Sequence, residues 1–587
     1  MKLLDRIAYD TGGYTVQEIL SSFCKKILEI IDLVNKNEEV CDETRTIIEN
    51  IRNEVVPHLV DDIIEEMEGN GYFDSLVNVT LIDNLRTELT TLLNEAITDY
   101  TTGLDNIDSQ LDNIAINVKK FGAKGDGNTD DTEPIQRCID ESGEGACIFI
   151  PSGVYLTNRL YLKRGQTLYG NGRSTVLKFK GQHVNSPSGF GGVINGIGSS
   201  SNPISGITIR DLSVNGNKGE ITTPNQSAMD DVDIECINIK YGKNCTVSNI
   251  YVYDAKDSGV DLDGCIDCTV TNITGNNCGG YCVHISEHSE NNNVNSCYAY
   301  KCGIDHNRGG FDSYLNTKNN KYNNCHCEEC NIGFNIKGES ISIVNCSDKK
   351  SIQNSIRLEG KYNKVNNYYS EGATNNVISI PSDDNELTNI FITGTNASFY
   401  IDGNNNSLSN CKVKDNSYGY RINGINNTLI NCSSENSYNS SFEVNGNRNK
   451  LIGCSSYNPN TNAIVIKGDS QTISGFTGTG TKTDSCIIIE SENNIISGGT
   501  LNNNVKSGIW VKAASYNVIT NVEISQNGTN GIYLDGGNNQ LIGNIFSNNT
   551  SDNVKDTGST NKYISNIGLA NNWFKNGRCI IWLIKKW

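Results

Sequence analysis

The chain has 587 residues, 36% of them hydrophobic, so it exceeds one ordinary domain and can bury a long core. A formal charge of −19 argues against nucleic acid as a partner, since phosphate backbones are held by Lys and Arg. The opening Met1-Lys2-Leu3-Leu4-Asp5-Arg6 turns polar too quickly for a signal peptide and no apolar run reaches membrane-spanning length, which predicts synthesis in the cytoplasm and no membrane insertion.

The first predicted element follows Thr15-Val16-Gln17-Glu18, a capping box with Thr at the N-cap and Glu three residues on. Its helix carries Val16, Ile19, Leu20, Phe23, Ile27, Ile30 and Val34 on one face. A second helical run, from about Val40 to Val55, is stopped by Pro57, and Gly69-Asn70-Gly71 makes a turn. A heptad-like seam then runs through Ile82, Leu85, Leu89, Leu92 and Ala96, and past a slip near Gly103 through Leu104, Ile107, Leu111 and Ile114. Such a seam is worth little unless other chains cover it. The expectation is an α-helical region over 1–78 and a coiled-coil neck over 79–116 that self-associates; the alternative is a helix packed on its own chain.

From Asn117 the pattern changes. Phe121 to Thr132 leads, through Asp126, Asp130 and Asp131, into a helix ending near Ser142. These aspartates lack the twelfth-position Glu of a calcium loop, and Asp131-Thr132 reads as a helix cap. Short strands follow at Cys147 to Pro151, Gly153 to Tyr155 and Gln166 to Gly172.

Between Asn244 and Ile567 one unit recurs, as when Asn405-Asn406-Ser407-Leu408-Ser409-Asn410-Cys411 is laid over Asn426-Asn427-Thr428-Leu429-Ile430-Asn431-Cys432. Copies start at Asn244, Asp267, Asn291, Asn319, Ser340, Tyr362, Asp384, Asn405, Asn426, Arg448, Ser470, Asn493, Tyr516, Asn538 and Asn561, a mean spacing of about 22.6 residues. A second marker, seen in Gly259-Val260-Asp261-Leu262-Asp263 and Gly531-Ile532-Tyr533-Leu534-Asp535, keeps the same beat, so each copy holds at least two short strands. A unit this short cannot bury its own apolar face and must stack on its neighbours as a solenoid. The leucine-rich alternative needs a fixed Leu frame and a helical half, and has neither. Alternation with Asn and Gly at the corners predicts an all-β, right-handed, single-stranded parallel β-helix.

In that architecture Cys297, Cys325, Cys346, Tyr368, Ile390, Cys411, Cys432, Cys454 and Phe476 share one inward register. Asn324, Asn345, Asn367, Asn389, Asn410 and Asn431 precede six of them and are expected to form a ladder on turn carbonyls and amides. The 21 cysteines are expected to be reduced and stacked, behaving as small apolar residues. In Cys325-His326-Cys327-Glu328-Glu329-Cys330, alternation sends Cys325 and Cys327 inward and His326 outward, so no metal site is expected there.

The passage from Phe121 to Gly172 resembles the opening of the pectate-lyase-like superfamily, which with the repeats covers about residues 117 to 567. The resemblance implies a capping segment over 117–180, a β-helix over 181–567 and a terminal cap or tail over 568–587, where Trp573, Trp582 and Trp587 break the repeat. Joined to a helical N-terminal region, itself similar to attachment segments of tail proteins from phages of Gram-positive hosts, the chain looks like a trimeric phage tailspike. That implies a virion protein attached to a phage tail or baseplate through its N-terminal region and acting on a host surface polysaccharide. Gly259 to Cys265 also resembles the first aspartate segment of polygalacturonase-like glycosidases. Where that family places an adjacent aspartate pair this chain has Asn276-Asn277-Cys278-Gly279-Gly280, and no Gly-His-Gly follows.

Candidate chemistry comes from aligning outward positions between coils. Asp261 is followed one coil later by His284, then Asp312, Asn335 and Arg357, with Asp263, Ser286, Tyr314, Lys337 and Glu359 beside them. Asp261 and Asp312, two coils and about 10 Å apart at the backbone, are placed to serve as the acid and base of an inverting glycosidase. The coil from Asn291 is the longest, and its excess, Gly303 to Gly310, carries Asp305, His306 and Arg308 as a groove-forming loop. Glu287 and His288 sit at the preceding corner; Asp305 or Glu287 could replace either carboxyl, and Arg308 could hold an acidic sugar. Tyr298, Tyr300, Tyr314 and Tyr322 suit sugar stacking. The expected activity is polysaccharide hydrolysis with catalytic residues drawn from Asp261, Asp312, Asp305, Glu287 and His284, and substrate contacts from Asp263, His288, His306, Arg308, Tyr314, Lys337 and Arg357. No cofactor or metal is implied. A lyase built on Tyr314, Lys337 and Arg357, and a receptor-binding fibre that binds the glycan without cutting it, are the alternatives.

Overall fold

The structure is a computed structural model. It describes residues 114–569, apart from 184–190, 223–233, 376 and 395–398, and scattered positions between 65 and 110. The expected helical region over 1–78 and the seam of the 79–116 neck fall largely outside the described residues, as do the tail tryptophans. The described positions from 87 to 110 are helical.

The repeats form a parallel β-solenoid with three strands per coil, where the sequence required at least two. In the coil opened by Asn426 the strands are Thr428–Ile430, Ser433–Glu435 and Phe442–Val444. Thr428 pairs with Ser407 and Lys450, Ser433 with Lys412 and Ser455, and Phe442 with Tyr420 and Ile464. All these pairings are parallel and advance by one repeat, so each apolar residue meets its equivalents above and below.

The corners explain the polar repeat. Asn426, Asn431 and Asn436 have φ of 59°, 53° and 55°, the left-handed region that Asn tolerates best after Gly. Of the fifteen copy starts all but Asn561 have positive φ; there the left-handed residue is Thr560. The left-handed corner that opens a copy is therefore a backbone requirement, which Asn meets most often but Asp, Ser, Tyr and Arg also occupy.

The asparagine ladder lies four residues before its expected place, at the preceding corner of the coil. Asn324, Asn345, Asn367, Asn389, Asn410 and Asn431 are exposed left-handed corners. Some bond side chain to side chain, as Asn367 Nδ2 to Asn345 Oδ1 at 3.1 Å. The ladder that satisfies backbone is built by the Asn that follows most copy starts: the Asn406 amide donates to Asn427 Oδ1 at 2.8 Å, and Asn427 and Asn449 repeat the contact at 2.8 Å. These side chains are buried, and their Nδ2 groups donate to carbonyls such as Gly403 O, at 3.0 Å from Asn427. A left-handed corner turns its own side chain to solvent and the next one inward.

The inward stack stands as expected: Cys297, Cys325, Cys346, Tyr368, Ile390, Cys411, Cys432, Cys454 and Phe476 are all buried. The described cysteines are free thiols, and all except Cys147 are buried. On the third strand Phe399, Tyr420 and Phe442 stack with ring centroids 5.0 and 4.7 Å apart. At the N-terminal end the helix Thr132–Glu141 buries Ile135, Cys138 and Ile139. Asp131 stands at its N-cap position but makes no side-chain cap bond. Its carboxylate accepts the amides of Lys124 and Gly125 at 2.6 and 3.0 Å, and Asp130 accepts the Thr132 amide at 3.1 Å instead.

Candidate active site

The third strands of successive coils carry the aligned column. Parallel pairing sets Asp261 beside His284, His284 beside Asp312, Asp312 beside Asn335 and Asn335 beside Arg357. Val260 and Leu262 point into the core at 0% exposure, so Asp261 and Asp263 point away from it. The column is nevertheless covered. Tyr281 stacks on the His284 ring at 5.0 Å and 5°, and Tyr314 approaches it at 6.0 Å. Asp312 has no exposed surface, whereas 15% of the His284 side chain is exposed.

The centre of the site is the pair these strands create. His284 Nδ1 lies 2.7 Å from Asp312 Oδ2. Burial alone would depress the imidazole, but Asp312, with Asp261 and Asp257 nearby, outweighs it and holds the pKa at about 9. Burial pushes the Asp312 carboxyl above its ordinary value, against the pull of His284. Both Asp312 oxygens and His284 Nδ1 are buried without a hydrogen bond of good geometry, so the 2.7 Å contact is an ion pair by distance. The site is thus an imidazole whose pKa is held up at about 9, paired with a sealed Asp312, with Asp261 on the adjacent strand.

The inserted turn walls this centre, with residues that the sequence pattern pointed to only in part. Arg308 Nη1 bonds both carboxylate oxygens of Asp257, at 2.7 and 2.8 Å, and its guanidinium lies 5.9 Å from the Tyr281 ring. Asn335 Nδ2 donates to Tyr281 Oη at 3.1 Å. His306 Nε2 sits 3.0 Å from the Lys256 carbonyl oxygen, and burial together with Lys256 lowers its pKa. Asp305 is tied to Lys218 at 2.8 Å, which keeps its carboxyl below the ordinary value despite partial burial.

The remaining candidates spread outward. Asp263 pairs with Lys240 at 2.5 Å. Glu287 and His288 are exposed corner residues with φ of 53° and 64°. Lys337 Nζ lies 4.8 Å from the Tyr314 ring centroid and 3.8 Å from Glu359, and Arg357 Nε bonds the same carboxylate at 2.6 Å. The structure therefore groups Asp261, His284 and Asp312 with Arg308 and Tyr314, and leaves Asp305, Glu287 and His288 at the rim. Tyr298 and Tyr300 are half-buried on the second strand of their coil, but Tyr322 is a core residue whose hydroxyl donates to the Asp312 carbonyl, so it cannot stack on a sugar.

Asp257 and Tyr281 were missed, although the Gly279-Gly280 doublet marked the place. A Cβ on Gly280 would fall 1.9 Å from Asp257 Oδ1, and one on Gly279 2.2 Å from the Lys256 carbonyl oxygen. Gly280→Ala is expected to displace the carboxylate that Arg308 grips and to destabilise the protein by ~1–3 kcal/mol, read as a lowered midpoint in thermal unfolding. An unchanged midpoint would show that the turn yields without cost.

Two family descriptions match the chain: "Rhamnogalacturonase A/epimerase, pectate lyase-like" over residues 115–354, and "Right handed beta helix region" over residues 462–586. Together with the three-stranded coils they define a pectate-lyase-like right-handed β-helix protein. Within that class the similarity extends to phage appendages. The chain is 27% identical to the pre-neck appendage protein of Bacillus phage phi29 over 157 residues, 26% of this chain and 15% of that protein. It is 47% identical over 53 residues to an exo-poly-α-D-galacturonosidase of Dickeya chrysanthemi, 9% of either chain. Among solved structures, an N-terminal fragment of bacteriophage phi29 gene product 12 is 15% identical, with 83% of this chain and 100% of that chain covered and a TM-score of 0.46. The matched stretches thus span only a small part of those two curated relatives.

Proposed function

We propose that this chain is a phage tailspike that binds and depolymerises a host surface polysaccharide by proton-transfer hydrolysis at Asp261, His284 and Asp312. The observation that carries the reading is His284, 15% exposed, with Asp312 2.7 Å from its Nδ1 and Asp261 beside it on the neighbouring strand. His284 gives its Nε2 proton to the leaving glycosidic oxygen as the bond to the anomeric carbon breaks. Asp261 takes a proton from the water that attacks that carbon. Asp312, which has no surface for substrate, orients His284 and stabilises its charge. This gives His284 the acid role that the sequence had offered to one carboxyl of the Asp261 and Asp312 pair. Arg308 and Tyr314 line the approach. The phage appendage similarity supports a place on the virion tail, and the region before residue 117 would supply attachment and trimerisation.

One observation favours the non-catalytic alternative: Asp263, Asp257, Asp305, Glu359 and Glu443 are each engaged by a cation of the same chain. Size exclusion of purified host capsular or wall polysaccharide, before and after incubation with the protein, separates the readings. Shorter fragments with the wild type and none with Asp261→Asn support hydrolysis. Retained binding with no shortening makes the column a receptor-binding face, and Asp261→Asn at full rate removes that residue from the mechanism.

A further inference from the structure

The aromatic rings on the third strands that follow His284 go inward: Phe311 and Phe334 are fully buried and stack with centroids 5.0 Å apart. Tyr281 does not join them. Its ring lies against the outward imidazole of His284, at 5.0 Å and 5°, and is still only 4% exposed. A ring with so little free surface offers a sugar no face to stack on, so it reaches a ligand only through the side chain it touches. Tyr314, the other ring beside the imidazole, lies 6.0 Å away at 55° and is 39% exposed, which leaves it open to substrate.

Tyr281 is held from the coil before it and the two coils after it. Its amide donates to Ser258 Oγ at 3.3 Å, and its carbonyl accepts the Gly259 amide at 2.8 Å. Its hydroxyl accepts Asn335 Nδ2 at 3.1 Å. The Arg308 guanidinium lies 5.9 Å from its ring centroid, and Arg308 is itself fixed by both oxygens of Asp257. A ring pinned in this way cannot follow the imidazole; the imidazole must follow the ring.

We propose that Tyr281 is a positioning residue: Arg308 of the inserted turn and Asn335 lock its ring, and the ring fixes the plane of the His284 imidazole so that Nδ1 stays against Asp312 and Nε2 is left for substrate. The consequence for turnover rests on the hydrolysis reading above; the orientation of the imidazole does not. An aromatic face also favours a cation lying on it. The stack therefore works in the same direction as the carboxylates around the imidazole, Asp261 and Asp312 from the flanking strands and Asp257 from the corner, and against the nearby cations of Arg308 and Lys337.

Magnetic resonance on the full chain, carbon-labelled at its histidines, tests the clamp without reference to activity. In the wild type the His284 ring signal, identified by its loss in His284→Gln, is expected upfield of an unstacked imidazole in the same charge state, displaced by the Tyr281 ring current. An unshifted signal would overturn the proposal without any variant at Tyr281. In Tyr281→Met the signal is expected to titrate at lower pH than in the wild type, and in Tyr281→Phe, which keeps the ring, to titrate where the wild type does. Turnover should divide the same way, with Tyr281→Met lowering kcat ~10–100-fold at a KM within about threefold, and Tyr281→Phe recovering most of the rate. Equal losses in the two variants would assign the effect to the hydroxyl, and an unmoved titration in Tyr281→Met would reduce the ring to filling space; either result overturns the clamp. A wild type that shortens no polysaccharide would sink hydrolysis, while the titrations would still decide whether Tyr281 orients His284.

Discussion

His284→Gln is expected to lower the rate of polysaccharide cleavage by about 10²–10⁴-fold while leaving glycan binding within a few fold, the signature of a lost proton donor rather than a lost contact. The pH profile is the more specific readout. With a pKa of about 9 in the fold against an ordinary 6.5, His284 stays protonated through neutral pH, and the alkaline limb of wild-type cleavage should lie near pH 9. Asp312→Asn keeps the shape of the site but removes the charge, so the alkaline limb should move toward lower pH as His284 loses its partner. The same linkage affects stability with a definite sign. The raised imidazole contributes stability that is complete below about 6.5 and lost as pH rises through about 9. Wild type and His284→Gln should therefore diverge in unfolding midpoint in acid and converge in alkali. Asp312→Ala, which strands a buried cation, should cost ~3–5 kcal/mol. An alkaline limb that stays near pH 9 in Asp312→Asn would show that Asp312 does not govern His284.

The second large effect is expected far from that site. Asn427 has no exposed surface and links three coils: Oδ1 accepts the Asn406 amide, Nδ2 donates to the Gly403 carbonyl, and its own amide donates to Asn449 Oδ1. Asn427→Ala leaves one buried donor and one buried acceptor unmet, together ~2–5 kcal/mol. Urea unfolding should register the loss, and hydrogen exchange should localise it, with protection falling in the coils from Gly403 to Asn449 and little change before Glu339. The side chain of the exposed Asn431, one corner on, bonds another side chain, Asn410, at 3.4 Å, and Asn431→Gly is expected to be nearly neutral because Gly accepts its φ of 53° and keeps the amide bond to the Ile452 carbonyl. Equal costs at the two positions would contradict the assignment of the ladder.

That contrast shows where the sequence stops being readable. Two rows of asparagine run at the same period, and periodicity cannot distinguish the one that turns the backbone from the one that bonds it. The difference is position at a corner: Asn431 is itself the left-handed residue, whereas Asn427 follows one and so turns inward. The inward cysteines were easier, because alternation has a period of two and each strand repeats the same choice. The column from Asp261 to Arg357 was likewise readable as a register, since one coil's offset is fixed by the repeat length. Its burial was not. Tyr281, Asp257 and Arg308 come from turns of unequal length between the second and third strands, and these close over His284 and Asp312 by contacts that no repeat encodes.

The sequence by itself thus determined the solenoid, its beat of about 22.6 residues and which side chains share a register, because each is a local choice of alternation and turn chemistry made many times over. Only the tertiary structure decided that Asp312 is sealed behind His284, that Tyr322 belongs to the core and that Lys218 holds Asp305. Those outcomes depend on how irregular turns from different coils pack on one another, where a single contact is made once and leaves no period in the chain.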